Sequence, residues 1–146
     1  MPQIEQLLET DGFYISPIVG FSMEPLLREG RDLVYIKRAS GCASIKRGDV
    51  VLFRQENGIY VLHRVLQVKN GHILECGDNR YAFTKIPCER ILGVMTHFNR
   101  KGKSRDVKDW RYRLYTGVKL VSGFFKRTLL PRARKTLRKE NGQQAP

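Results

Sequence analysis

Over the first hundred positions, short runs of apolar residues alternate with polar ones. Beyond that point the spacing becomes helical. Residues 3–9 (QIEQLLE) set Ile4, Leu7 and Leu8 on one face of a short amphipathic helix that Asp11-Gly12 ends. Phe13 to Val19 is rich in β-formers and predicts a strand, followed by a second strand from Asp32 to Ile36. The turn Lys46-Arg47-Gly48-Asp49 leads into a buried strand, Val50 to Phe53. Asn57-Gly58 predicts a hairpin with Ile59 to Val65 as the returning strand. Alternation there puts Tyr60, Leu62 and Arg64 on one face, and Ile59, Val61, His63 and Val65 on the other. Asn70-Gly71 marks a further hairpin between Val65–Val68 and His72–Cys76, and Ile91 to Phe98 is the last strand before the polar run Asn99-Arg100-Lys101-Gly102-Lys103. Closely joined short strands predict a mostly β domain over residues 1–100.

From Trp110 onward Leu114, Val118, Val121, Phe125 and Leu129 fall at i, i+4, i+7, i+11 and i+15, the stripe of an amphipathic helix. Pro131 ends or kinks that helix, and the basic run after it frays. Residues 101–146 are therefore read as a basic amphipathic helical tail.

Charge sharpens this division. The chain of 146 residues carries a net charge of +13. Residues 1–100 hold 13 Lys and Arg against 11 Asp and Glu, a net of +2, whereas residues 101–146 hold 14 against 3, a net of +11. The tail suits an anionic partner, and residues 110–139 are expected to make peripheral contact with an anionic membrane. Trp110, Tyr112, Tyr115, Phe124 and Phe125 suit such an interface. The alternative is a helix that packs its stripe on the β domain. The charge also permits nucleic acid, but no reading element accompanies it.

Cys42, Cys76 and Cys88 are odd in number and none belongs to a CxxC pair. The expectation is three separate small buried thiols in a reducing compartment, with no disulfide framework and no metal site. No basic start with a continuous apolar core marks residues 1–20 as a signal peptide, and no run approaches a membrane span. A cytoplasmic protein, peripheral at the membrane and without a cofactor, is expected.

The candidate chemistry lies in Gly20-Phe21-Ser22-Met23-Glu24-Pro25 and, about forty residues on, Leu62-His63-Arg64-Val65. Ser22 sits on a tight turn after a strand, where Gly20 lets the backbone approach closely and Pro25 restrains the chain. A serine hydroxyl becomes a competent nucleophile only beside a base, and His63 is the candidate. Without its context Ser22 is an ordinary turn serine, and His63 a core histidine satisfied by a carbonyl.

Four boxes supply that context. Gly20-x-Ser22-Met23-x-Pro25-x-Leu27, Lys46-Arg47-Gly48-Asp49-Val50-Val51, Leu62-His63-Arg64-Val65 and Gly77-Asp78-Asn79-Arg80 occur in order between about residues 14 and 97. In that order and spacing the chain resembles the type I signal peptidase family, which shares a serine-peptidase clan with the self-cleaving SOS repressors. The resemblance implies a coiled, mostly antiparallel β fold and a serine endopeptidase that cleaves a peptide or leader segment. It implies Ser22 as nucleophile, His63 as base in the branch that uses histidine, and Met23 and Pro25 beside the bound peptide.

Asp78 stays open between an acid orienting His63 and a structural partner of Arg80; a Ser-His dyad without an acid is a further possibility. The chain departs from the family in three places. Gly20 lacks the hydroxyl that helps hold the oxyanion, leaving the Ser22 N–H. Gly30-Arg31-Asp32 has one residue more than the usual Gly-Asp, which suggests a bulge. The membrane helix that normally precedes the serine is not evident in the 21 residues before Ser22. Two rivals keep the fold: a catalytically impaired peptide-binding module, and a self-cleaving regulator.

Overall fold

The computed structural model describes residues 3–123. A helix, α1 (Gln3–Thr10), precedes eight strands: β1 (Phe13–Pro17), β2 (Leu33–Arg38), β3 (Val50–Arg54), β4 (Tyr60–Lys69), β5 (His72–Cys76), β6 (Thr84–Pro87), β7 (Ile91–Arg100) and β8 (Lys103–Asp106). A second helix, α2, begins at residue 110 and runs to the end of the described residues at 123. Asp109 caps it, its side chain accepting the Arg111 N–H at 2.8 Å. The readings at Phe124, Phe125, Leu129 and Pro131, and of the basic run after it, fall outside the described residues.

The strands form one antiparallel sheet in the order β1-β2-β7-β3-β4-β5-β6. β7 pairs with β3 over Ile91–Val94 and with β8 over His97–Arg100. The mostly β expectation therefore holds.

Alternation along β3 divides the core. Val50 and Leu52 join a cluster with Met23, Leu26, Leu27, Met95 and Phe98. Val51 and Phe53 face a second cluster with Val65, Ile73 and Ile86. All four of these β3 side chains are buried, as a central strand covered on both faces requires.

Several elements differ from expectation. β4 is one continuous ten-residue strand, not two segments meeting at Val65. β6 and β8 lack a hydrophobic run, and only pairing makes them strands. Because β8 folds back on β7, the boundary expected near residue 100 falls inside a hairpin, and Tyr112 of α2 enters the first core cluster. Residues 29–31 form a turn, not a bulge. It is tied by buried Asp32, which accepts from the Arg31 guanidinium and the Arg28 N–H.

The cysteine expectation is overturned. Cys42 and Cys88 form a disulfide across 46 positions, while Cys76 is a buried thiol. Both bridged residues sit at the second cluster, brought together by the sheet and not by their spacing in sequence. A bridge of this span contributes ~2–4 kcal/mol by constraining the unfolded chain.

The apolar stripe of α2 is placed opposite to the packing alternative. Leu114, Val118 and Val121 are exposed at 64%, 60% and 57%, and Trp110 at 67%. The packed face instead carries Tyr112, Tyr115 and Thr116, so two of the aromatics assigned to a membrane interface hold the helix to the sheet. Among the described residues no helix is long and apolar enough to cross a membrane.

Candidate active site

Ser22 opens a tight turn whose inner residues are anchored. Met23, Leu26 and Leu27 are each at most 4% exposed, and the Leu27 N–H donates to the Met23 carbonyl at 3.0 Å. Gly20 has φ +79, which an L side chain rarely adopts, and its N–H donates to Glu29 Oε2. A side chain at Gly20 would meet nothing within 4 Å, so the glycine answers to backbone conformation and not to close approach.

His63 reaches the same place from β4. It pairs with Val51 across the ladder and, as alternation predicts, shares a face with Val61 and Val65. Its ring meets Phe53 edge-on at 6.2 Å. Nδ1 lies 2.5 Å from Glu75 Oε2, and the Glu75 side chain is 3% exposed. With Glu75 ionised, the tautomer that makes this hydrogen bond is the one protonated at Nδ1, which leaves a lone pair on Nε2.

Gly77 shows where Nε2 points. A Cβ built on Gly77 would lie 3.1 Å from His63 Nε2 and 2.6 Å from the Ser22 carbonyl oxygen. The imidazole and the Ser22 backbone thus converge over a position that tolerates no side chain. The loop after β5 closes the arrangement, with the Asn79 N–H donating to the Ser22 carbonyl at 2.8 Å. The Arg80 guanidinium lies over the Phe21 ring at 4.9 Å.

Ser22, His63 and Glu75 line one cleft of about 810 Å³ that also receives Gly20 and Phe21. Met23 contributes to its wall while lying in the core, and Pro25 is exposed and outside the lining. Among the described residues the Ser22 hydroxyl makes no hydrogen bond to His63, and the Ser22 N–H has no acceptor.

Asp78 does not approach His63 as its orienting acid. It accepts two hydrogen bonds from Arg64, from Nε at 2.7 Å and Nη2 at 2.8 Å, and a third from the Tyr115 hydroxyl at 2.8 Å. The structural alternative held for Asp78 is therefore the observed one, with Arg64 as partner instead of Arg80. Arg64 also donates to the Gly48 carbonyl and Thr116, both at 2.9 Å. Burial disfavours the Arg64 charge, but the bonds and charge of Asp78 outweigh it and hold the guanidinium above its ordinary value. Burial and then the Asp78 charge push the Tyr115 hydroxyl well up.

Glu75 is the residue that sequence reasoning missed. Among the described residues, no group of three His, Cys, Asp or Glu side chains is placed to hold a metal ion. No protein-family model matches the chain. No curated protein matches it in sequence either.

Proposed function

We propose that this chain is a serine endopeptidase resembling signal peptidase, acting on an extended peptide or leader segment at a membrane surface. One observation carries the reading. Ser22 and His63 line one open cleft, with the Nδ1 nitrogen of the imidazole held by buried Glu75.

Ser22 Oγ attacks the scissile carbonyl carbon while His63 Nε2 takes the hydroxyl proton. The oxyanion of the tetrahedral intermediate accepts from the unengaged Ser22 N–H. Collapse breaks the C–N bond, and the imidazolium returns its proton to the leaving amine. Water, deprotonated by the same nitrogen, then hydrolyses the acyl ester. Glu75 keeps the ring oriented throughout and stabilises its positive charge.

The test is incubation of the chain with a mixture of unstructured peptides, followed by mass spectrometry of new termini. Cleavage by the native chain, lost in Ser22→Ala with an unchanged circular dichroism spectrum, is the expected result. Equal cleavage by Ser22→Ala ends the assignment. The impaired binding module is favoured by one feature, the unmade Ser22–His63 hydrogen bond. It is the outcome if the native chain binds peptides in this cleft and cleaves none.

A further inference from the structure

A second cleft, of about 410 Å³, opens between the β7–β8 hairpin and the first turns of α2. Its apolar lining includes Phe98, Tyr112 and Tyr115, and its rim carries Arg100, Lys101, Lys103, Arg105 and Arg111. Asp109 is the single carboxylate in the lining and lies 4.0 Å from Arg105. Among the described residues no carboxylate pairs with the side chains of the other four cations. A concave site with four uncompensated positive charges suits an anion, and guanidinium groups match the geometry of phosphate oxygens.

Directly beside this cleft lies the exposed stripe of α2. Trp110 and Arg111 join the two, with the guanidinium 5.4 Å from the indole centroid. Leu114, Val118 and Val121 continue the stripe along the helix. The opposite face of α2 is committed elsewhere: Tyr112 is buried, Thr116 bonds Arg64, and Lys119 donates to the Asp78 carbonyl at 3.2 Å. At residue 123 the helix backbone comes against Leu66, where a Cβ would lie 3.2 Å away. The helix therefore cannot turn its stripe inward without breaking these bonds.

We infer that the β7–β8 hairpin and α2 form a lipid-docking surface for anionic phospholipid, with headgroup phosphate in the basic cleft and the α2 stripe in the acyl boundary. Three considerations choose this occupant. Beyond Trp110 the stripe is aliphatic, which suits acyl chains, whereas single-stranded nucleic acid needs several open stacking rings beside its cations, and Phe98 and Tyr112 of the cleft are buried. A second copy of the chain is opposed by charge, since residues 101–146 of each copy carry a net of +11. Apolar and cationic groups on one face are the pair of signals that holds a protein at a membrane surface. This deepens the membrane placement proposed above and does not depend on the peptidase chemistry.

Trp110 is the single tryptophan of the chain, so its emission reports on this surface alone. The full chain is mixed with vesicles of phosphatidylcholine, or of phosphatidylcholine with phosphatidylglycerol, and followed by flotation and Trp110 fluorescence. Binding and a blue shift are expected only with the anionic vesicles, and both weaken with salt. Lys101→Glu with Lys103→Glu, and separately Leu114→Glu with Val118→Glu, each lower partitioning by about tenfold or more. All four positions are exposed, so circular dichroism of both variants stays native.

Equal binding to neutral vesicles, or anionic binding without a Trp110 shift, overturns the inference. Binding that survives both double variants does the same, assigning the affinity to charges elsewhere. A Trp110 shift with inorganic phosphate alone makes the cleft a small-anion site, and one with an RNA oligonucleotide but not vesicles makes it a nucleic-acid surface. Ser22→Ala binds vesicles like the native chain, which separates failure of this surface from failure of the peptidase reading.

Discussion

His63 and Arg64 are neighbours on β4, yet they lead to opposite faces of the sheet and to two different charge pairs. His63 meets Glu75 at the wall of an open cleft, and 16% of its side chain remains exposed. Arg64 meets Asp78 in the interface between sheet and α2, with both side chains 1% exposed. The first pair leaves one nitrogen, Nε2, directed toward Gly77 and the Ser22 backbone. The second commits its donors to Asp78, Gly48 and Thr116. A buried pair with every donor nitrogen engaged is a structural tie, whereas a pair with one atom left over can do chemistry. Strand alternation sends the two side chains to opposite faces within a single residue.

Substitutions at the two pairs break this comparison in different ways. The largest effect is expected from Glu75→Gln, which keeps the shape but can hold the imidazole in the wrong tautomer. The expected fall in kcat is about 10³–10⁴-fold with KM little changed, measured on a peptide cleaved by the native chain. A matching loss of thermal stability with kcat intact would make Glu75 a structural residue like Asp78. Next is Arg64→Ala, which leaves Asp78 buried without its cation and costs about 3–5 kcal/mol in urea unfolding. The double substitution Arg64→Met with Asp78→Leu recovers part of that loss, because neither charge then remains buried and alone, while the Gly48 carbonyl and the Tyr115 hydroxyl still lose a partner.

The smallest effect belongs to Tyr115→Phe, which removes one hydrogen bond to a charged acceptor, about 1.5 kcal/mol. It also carries a pH signature. Because the folded state raises the Tyr115 value, its contribution is fully present below the unfolded value of about 10. It is lost as pH rises through the folded value. Alkaline unfolding titrations of the native chain therefore show a slope above about pH 10 that Tyr115→Phe reduces, leaving the part due to Tyr60, which is also raised.

Much of this arrangement is legible in the amino-acid sequence alone. The alternation of Tyr60 to Val65 places His63 and Arg64 on opposite faces, and the tight turn at Ser22 follows from local residues. Asp49 forms its turn as a turn aspartate should, its side chain accepting the Lys46 N–H at 2.9 Å. Glu75 is hidden for a specific reason. The Asn70-Gly71 hairpin pairs Lys69 with His72, Val68 with Ile73 and Gln67 with Leu74, so unbroken register would set Glu75 opposite Leu66 on the Arg64 face. A bulge between Val65 and Gln67 moves its partner to Val65, on the His63 face. One extra residue in β4 thus decides which basic side chain the carboxylate meets.

Local spacing determined α1, the strands β1 to β5 and β7, the faces of Tyr60 to Val65, the basic tail and the positions of Ser22 and His63, because these depend on neighbours within a few residues. Tertiary structure alone decided that Cys42 joins Cys88, that Asp78 belongs to Arg64, and that α2 turns its stripe outward. Each of those depends on which distant segments the sheet brings together. A helix anchored by Tyr112, Tyr115 and Thr116 presents whatever face those bonds leave over, and no periodicity within α2 reveals where its anchors will bind.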